Sequence, residues 1–444
     1  MPQHGGDLIA EVLGRHGVTH LFTLCGGHIS PILTGCAARG IRVVDVRDEG
    51  NAVFAADAVA RMTGVCGVAA VTAGPGVTNT ITAIKNAQMA QTPLVLFGGA
   101  TATLLKGRGA LQDIDQMAMM KPIVKWATTV KTVPALQPTV ERAIQIATEG
   151  VPGPVFVEVP VDVLYPEAIV RMWYEKEAGL GKAKGIGAKA LELYIKGHLY
   201  RQFHAPTLPE LNLPLRLPSL RGDHSLEKAA EAVRGAKKPV IVIGSQALVG
   251  VKDPGRLARA IGTLGVPVFL GGSARGLLGR THELQLRHNR GAALKEADVV
   301  IVCGFPFDFR LGYGRGINRH ATLISANLSS HELRKNRRPD IALEMHAGEF
   351  LVALAERAKG GSYPEWFATL HEREAERDAE IKAKAAPQGE LVDPLHFFLR
   401  MEEAMADDAV LVVDGGDFVA TASYIVRPRA PLSWLDPGVF GTLG

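Results

Sequence analysis

Along residues 7–165, short apolar runs alternate with amphipathic stretches. Leu8, Ile9, Val12 and Leu13 recur at helical spacing and predict a helix over 7–16, stopped by Gly17, a residue suited to a helix end. Apolar runs, several of them β-branched, predict strands at 21–24, 41–46, 65–72, 93–98 and 155–159. Between them lie an Ala-rich helix at 52–62 and a helix that follows Ala73-Gly74-Pro75-Gly76 and runs through Ile84 and Met89. Strands apolar on both faces and separated by helices predict a doubly wound α/β fold, a parallel sheet covered on both sides. The same rhythm returns at 224–360, with strands at 239–243, 267–270, 299–302 and 323–325 and glycine-rich turns at Gly271-Gly272-Ser273 and Gly304. A third block opens at 393 with a helix over 394–406, a strand over 410–413 and the turn Asp414-Gly415-Gly416. One such unit is only the start of a doubly wound domain, so the third domain reads as incomplete.

The chain thus divides into a first domain at 1–165, a linker at 166–223, a central domain at 224–360, a connector at 361–392 and the start of a further domain at 393–444. The linker is rich in proline and carries no strand pattern. Inside it, residues 188–203 predict an amphipathic helix through Leu191, Tyr194, Ile195 and Leu199. That helix either packs on its own domain or meets a membrane surface or a partner subunit. The charged stretch 365–385 mixes both signs and predicts a solvated connecting helix.

Composition narrows the function classes. A net charge of +4 over 444 residues is too small for a nucleic-acid partner, and suits an anionic small molecule. Cys25, Cys36, Cys66 and Cys303 show no CxxC spacing, so they read as reduced thiols of an intracellular protein. No run reaches the roughly 18 apolar residues of a membrane span, and the first residues do not read as a signal peptide.

In open α/β sheets, ligands sit beyond the carboxyl ends of strands. Cys25-Gly26-Gly27-His28, Asp48-Glu49 and Gly74-Pro75-Gly76-Val77-Thr78-Asn79 each follow a strand and precede a helix. Glycines there let backbone approach a ligand closely. On residue type alone, Glu49 is either a helix N-terminal acid favoured by the macrodipole or a buried acid of a site. No GxGxxG occurs at the first turn, which disfavours an NAD-dependent dehydrogenase.

Three strings read together resemble the pyrimidine-binding domain of thiamine-diphosphate enzymes of the acetolactate synthase/2-hydroxyacyl-CoA lyase group. They are Gly17-Val18-Thr19-His20-Leu21-Phe22 with Gly26-Gly27, Arg47-Asp48-Glu49-Gly50-Asn51-Ala52, and Thr72-Ala73-Gly74-Pro75-Gly76-Val77-Thr78-Asn79. Leu111-Gln112-Asp113, Pro122-Ile123-Val124-Lys125 and Gly153–Asp162 agree, so the resemblance covers nearly the whole chain. Gly26–Pro31, Ala274–Arg280 and Val413–Phe418 are closest to the lyase type. The resemblance implies a complete pyrimidine domain, a Rossmann-like middle domain and an incomplete diphosphate domain.

It also implies roles. Glu49 bonds the pyrimidine ring nitrogen and activates the cofactor, aided by an apolar setting from Val53, Phe54 and Ala55 that raises its pKa. Gly26, Gly27, Thr72, Pro75, Gly76 and Asn79 line the pyrimidine, with Cys25 as a wall. Gln112 reaches the reacting substrate of a paired subunit in a homodimer or homotetramer. His28 is a substrate acid/base or a cap of the following helix. Asp414, Gly415, Gly441, Thr442 and Leu443 belong to the diphosphate side. Arg275 and Arg280 bind phosphate of FAD or of a CoA/ADP moiety, or pair with carboxylates. Mg²⁺ needs an Asp-containing motif with an asparagine about thirty residues later, and no asparagine follows Asn336 here. No metal ligand is therefore assigned, the metal motif is expected beyond residue 444, and the 444-residue chain by itself is expected to be inactive. The implied reaction is cleavage of a 2-hydroxyacyl-CoA to an aldehyde and formyl-CoA, or acetolactate-type carboligation of 2-oxoacids. A non-catalytic partner subunit is the reading from another class. Lyase-type relatives can also carry a membrane anchor.

Overall fold

Strands apolar on both faces need helices above and below, and the first sheet is built that way. The computed structural model describes residues 4–179, 185–206, 223–385 and 391–443. It divides into two units, Met1–Leu215 and Arg216–Gly444. In the first, β1 (His20–Thr23), β2 (Arg42–Asp45), β3 (Gly67–Val71), β4 (Leu94–Ala100), β5 (Trp126–Thr129) and β6 (Pro154–Pro160) pair in the order β2-β1-β3-β4-β6-β5. Every pairing is parallel. β3, β4 and β6 are buried at all positions, as their sequences predict. β5 has no counterpart in the sequence reading. Its Trp-Ala-Thr-Thr is half-buried on a sheet edge, so it carries neither an apolar run nor a clean alternation.

The helix Gly5–Arg15 starts on a reciprocal cap. His4 Nδ1 accepts from the Asp7 amide, and Asp7 Oδ2 accepts from the His4 amide. Its Ile9, Ala10, Val12 and Leu13 are buried against the helix Ser30–Ala38 and the sheet. The two helices touch through glycine. A Cβ on Gly6 would lie 1.9 Å from the Pro31 carbonyl oxygen. Gly6→Ala is therefore expected to destabilise the first unit by about 1–3 kcal/mol. Gly14→Ala, with nothing within 4 Å of the new methyl, should be neutral or mildly stabilising. Urea midpoints of the two variants check this.

Two helices occupy the described part of the expected linker. Glu167–Glu177 and Ile186–His204 pack through Val170, Tyr174, Ile195 and Leu199 onto Ala102 of the first unit. Residues 207–222 of that stretch lie outside the described residues.

The second unit holds β7 (Pro239–Ile243), β8 (Val268–Leu270), β9 (Gln285–Leu286), β10 (Val299–Cys303), β11 (Thr322–Asn327) and β12 (Ile341–Glu344). Their order, β9-β8-β7-β10-β11-β12, is the doubly wound Rossmann order, all parallel. β9 and β12 are edge strands too short or too polar for the sequence pattern to show.

The helix Pro364–Lys384 corrects one expectation, because it is not a solvated connector. Trp366 and Leu370 enter the main core of the unit, and Trp366 Nε1 donates to the Pro239 carbonyl at 3.1 Å. One helical turn on, Glu374 accepts from the Arg287 and His288 amides; another turn on, Asp378 meets His288 Nε2 at 3.0 Å. Ile381 then joins the cluster of Phe398, Ala422, Ile425, Val426 and Trp434. Arg287 and Arg427 also donate to Asp378.

Burial opposes ionisation of Asp378, but the His288 bond and the charges of Arg287 and Arg427 outweigh it and hold the carboxyl below its usual range. A depressed folded pKa contributes stability above the unfolded value, near ~3.9, that is lost as pH falls through the folded value. The second unit should thus lose stability on acidification below about pH 4, and Asp378→Asn should flatten that acid limb. Denaturant midpoints across the acid range measure it.

The third block contains the helices Pro394–Ala404 and Asp417–Ile425, with β13 (Leu411–Val412) paired in parallel to β14 (Trp434–Leu435). All four cysteines are free. Cys36 and Cys66 are buried, and burial pushes both thiols up to about 12. Only Cys25 is exposed. Among the described residues no helix is long and apolar enough to cross a membrane.

Candidate functional site

The first sheet has its switch point between β1 and β3. The chain leaves β1 towards β2 on one side and leaves β3 towards β4 on the other. The loops after these strands part there and leave a crevice at the carboxyl end of the sheet. Loop 24–29 and loop 72–79 form its two walls. The helix Glu49–Thr63, which follows β2, points its first turn into the same region.

Asp48 starts that helix by accepting from the Gly50 amide at 2.8 Å. Asp48 thus does the capping, and Glu49, 7% exposed, is left for another partner. That partner is Asn79, whose Nδ2 donates to Glu49 Oε2 at 2.9 Å. Val53, one turn along the same face, is fully buried.

Glycines let these loops pack closely on Thr72. A Cβ on Gly26 would stand 2.4 Å from Thr72 Cβ. A Cβ on Gly76 would stand 2.9 Å from Thr72 Cγ2 and 3.5 Å from Glu49 Oε1. Gly26, Thr72, Gly76, Asn79 and Glu49 are thereby brought together as the sequence reading expects. Pro75 begins the short helix Pro75–Thr78 and is exposed. Gly27 and Cys25 are exposed at the rim, and the Cys25 amide donates to Asp45.

His28 does not cap the next helix, whose N-cap is Ile29 with no side-chain bond. Its Nδ1 instead meets Thr72 Oγ1 at 3.2 Å, and its Cβ packs over Gly99. Burial holds the imidazole below the usual histidine range, so it is neutral near neutral pH. Gln112 sits at φ +62° and covers Gly74, itself at φ +65°.

Sequence reasoning missed Gln116. It is 2% exposed, accepts from the Gly74 amide at 3.3 Å and donates to the Gly99 carbonyl at 2.8 Å. It ties the turn after β3 to the end of β4. Its only signal is a polar residue at the head of the methionine-rich helix Gln116–Met120.

In the second unit, Asp414, Gly415, Gly441, Thr442 and Leu443 also converge. A Cβ on Gly415 would lie 2.5 Å from the Thr442 carbonyl oxygen and 2.7 Å from that of Gly441, and Leu443 reaches Gly416. Asp414 Oδ1 accepts from the Gly415 amide. Among the described residues no group of three His, Cys, Asp or Glu side chains is placed to hold a metal.

The two candidate arginines point into their own unit. Arg280 Nε pairs with Glu402 at 3.2 Å, the carboxylate alternative of the sequence reading. Arg275 donates to the Ser423 carbonyl and lies over the Trp434 ring. Burial pulls its guanidinium down to about 10. Two further arginines went unforeseen. At the switch point between β7 and β10, Arg310 and Arg290 lie over the ring of Phe305, 4.6 and 5.8 Å from its centre. Arg310 is held in a two-point pair by Asp308.

Residues 3–119 match the thiamine pyrophosphate enzyme N-terminal TPP binding domain, and residues 226–354 the thiamine pyrophosphate enzyme central domain. The chain is 50% identical to 2-hydroxyacyl-CoA lyase 2 of Danio rerio, over 100% of this chain and 72% of that protein. It is 47% identical to 2-hydroxyacyl-CoA lyase 2 of Homo sapiens, over 100% of this chain and 71% of that protein. An acetolactate synthase large subunit of Mycobacterium tuberculosis is 32% identical over 99% of this chain and 74% of its own length.

Proposed function

The chain belongs to the thiamine pyrophosphate enzyme family, and on that premise we propose that it cleaves a 2-hydroxyacyl-CoA to an aldehyde and formyl-CoA. The observation that carries this is the buried carboxylate of Glu49, oriented by Asn79 inside a glycine-walled crevice. Closeness to the lyase relatives, at 47–50% identity against 32% for the synthase, favours lyase chemistry over carboligation of 2-oxoacids.

The residues of the first unit fit the aminopyrimidine of thiamine diphosphate, because a nearly buried carboxylate held by Asn79 lies beside backbone that Gly26 and Gly76 let pack closely on Thr72. When bound, the cofactor supplies a carbon nucleophile that also accepts electrons as the carbon–carbon bond breaks. Glu49 holds a proton at the pyrimidine ring nitrogen, and its burial keeps water from competing for that proton. Asn79 fixes the carboxylate plane. His28, neutral and anchored on Thr72, can take the proton of the substrate 2-hydroxyl. The described residues do not fit a magnesium site, so no step is drawn through the metal.

For the middle domain we place an anionic nucleotide, of FAD or of CoA, beside Arg290, Arg310 and Phe305 rather than at Arg280. Support comes from the Rossmann strand order and from two guanidinium groups at its switch point. A homo-oligomer is supported by exposed Leu111 and Ile114 on either side of Gln112.

The test is product analysis on the full-length protein with thiamine diphosphate and Mg²⁺. A 2-hydroxyacyl-CoA should yield aldehyde and formyl-CoA, while pyruvate alone should yield little acetolactate. Acetolactate as the main product would assign the synthase reaction, and no turnover of either substrate would favour a non-catalytic partner subunit.

A further inference from the structure

The helix Ile186–His204 is apolar on two opposite faces. Ile195 and Leu199 bury one face in the first unit. On the other, Ile186, Leu193 and Tyr200 recur every seven residues and are 90%, 73% and 66% exposed. Ala190 and Gly197 stand between them and are exposed too. At 3.6 residues per turn these five positions fall within about 80° of the circumference, a stripe roughly 20 Å long. A helix apolar all round is ordinarily covered all round, and this one is covered on one side only.

The margins of the stripe are cationic. Lys189 and Lys196 follow one edge and Arg201 the other, all exposed. The only acid on the helix, Glu192, lies outside the stripe and is paired with Lys196 at 2.6 Å. Pairing with a second copy of this helix would set cationic margins together with only Glu192, already paired with Lys196, to answer them. An anionic lipid surface answers both features, since it takes apolar side chains at the acyl boundary and cations at the phosphates. Tyrosine suits that boundary, being apolar with a polar tip. Among the described residues no helix is long and apolar enough to span a bilayer, so the helix would lie in the plane of the surface.

The geometry points to Ile186–His204 as a contact with anionic membrane surfaces. It holds the first unit against the leaflet through Ile186, Leu193 and Tyr200, with Lys189, Lys196 and Arg201 at the headgroups. This inference stands apart from the reaction proposed above.

Sedimentation with vesicles tests it. The chain should bind phosphatidylcholine vesicles containing phosphatidylglycerol, bind pure phosphatidylcholine weakly, and lose binding as salt rises. Leu193→Glu should lower the bound fraction about tenfold or more. Because Leu193 is exposed, the thermal midpoint should not move. Absence of binding by the unmodified chain overturns the proposal, and so does binding that Leu193→Glu leaves unchanged. A concentration-dependent dimer abolished by Leu193→Glu, without vesicle binding, overturns it in favour of a second copy.

Discussion

Glu49→Gln should slow hydrogen–deuterium exchange at the reacting carbon of bound thiamine diphosphate by roughly two to four orders of magnitude. The amide has nearly the shape of the carboxylate and can keep the contact with Asn79, which donates to Oε2 in the parent. It cannot share a proton with a ring nitrogen, so only the proton-holding function is removed. Cofactor affinity should fall far less than the exchange rate, because the glycine-walled crevice is unchanged. Asn79→Ala leaves the carboxylate in place but unoriented, and should fall between the parent and Glu49→Gln. Rapid-quench exchange followed by proton NMR on the cofactor-loaded full-length enzyme measures all three. An exchange rate in Glu49→Gln equal to that of the parent would remove this residue from the chemistry.

The largest stability effect is expected at Arg429. Its side chain is 2% exposed and donates to Glu402 Oε1 at 2.6 Å. It also donates to the carbonyls of Arg427, Glu402 and Met405. Arg429→Met keeps apolar bulk but leaves a nearly buried carboxylate and three carbonyls short of a donor. Removing one member of such a pair costs about 3–5 kcal/mol, a large part of the 5–15 kcal/mol that holds a typical domain folded. Arg280, which also pairs with Glu402 Oε1, is well exposed and compensates little, and the Arg427 amide satisfies only Oε2. Guanidinium unfolding measures the loss, and Trp434 alone of the four tryptophans lies in the block. The double variant Arg429→Met/Glu402→Leu should recover part of the loss, because it removes the stranded charge. A loss below about 1 kcal/mol would mean that water reaches the pair.

How much was legible depended on whether a residue's task was local. β1, β3, β4 and β6 declare themselves because an apolar run of that length between helices has few alternatives. β5 hides because an edge strand of Trp-Ala-Thr-Thr needs no apolar pattern. The helix Pro364–Lys384 looked solvated because its inward stripe contains Glu374 and Asp378, and periodicity cannot tell a buried paired carboxylate from a wet one. Glu49 shows the same limit within the site. Its pairing with Asn79 spans thirty residues, and residue type alone left the helix-start reading open. The family resemblance carried it past that point, and the structure adds that Asp48 already occupies the capping role. Gln116 was invisible because its two bonds go to backbone groups of distant strands, which leave no trace in residue type.

Those two bonds have a consequence for how the crevice is used. Gly74 sits in a conformation that only glycine adopts readily, and Gln116 fastens it to the end of β4. On the proposed function, this wall of the pyrimidine site is held by bonds within the chain itself. Capture of the ring is then a docking event with little induced rearrangement on that side, and its entropy penalty falls mainly on the ligand.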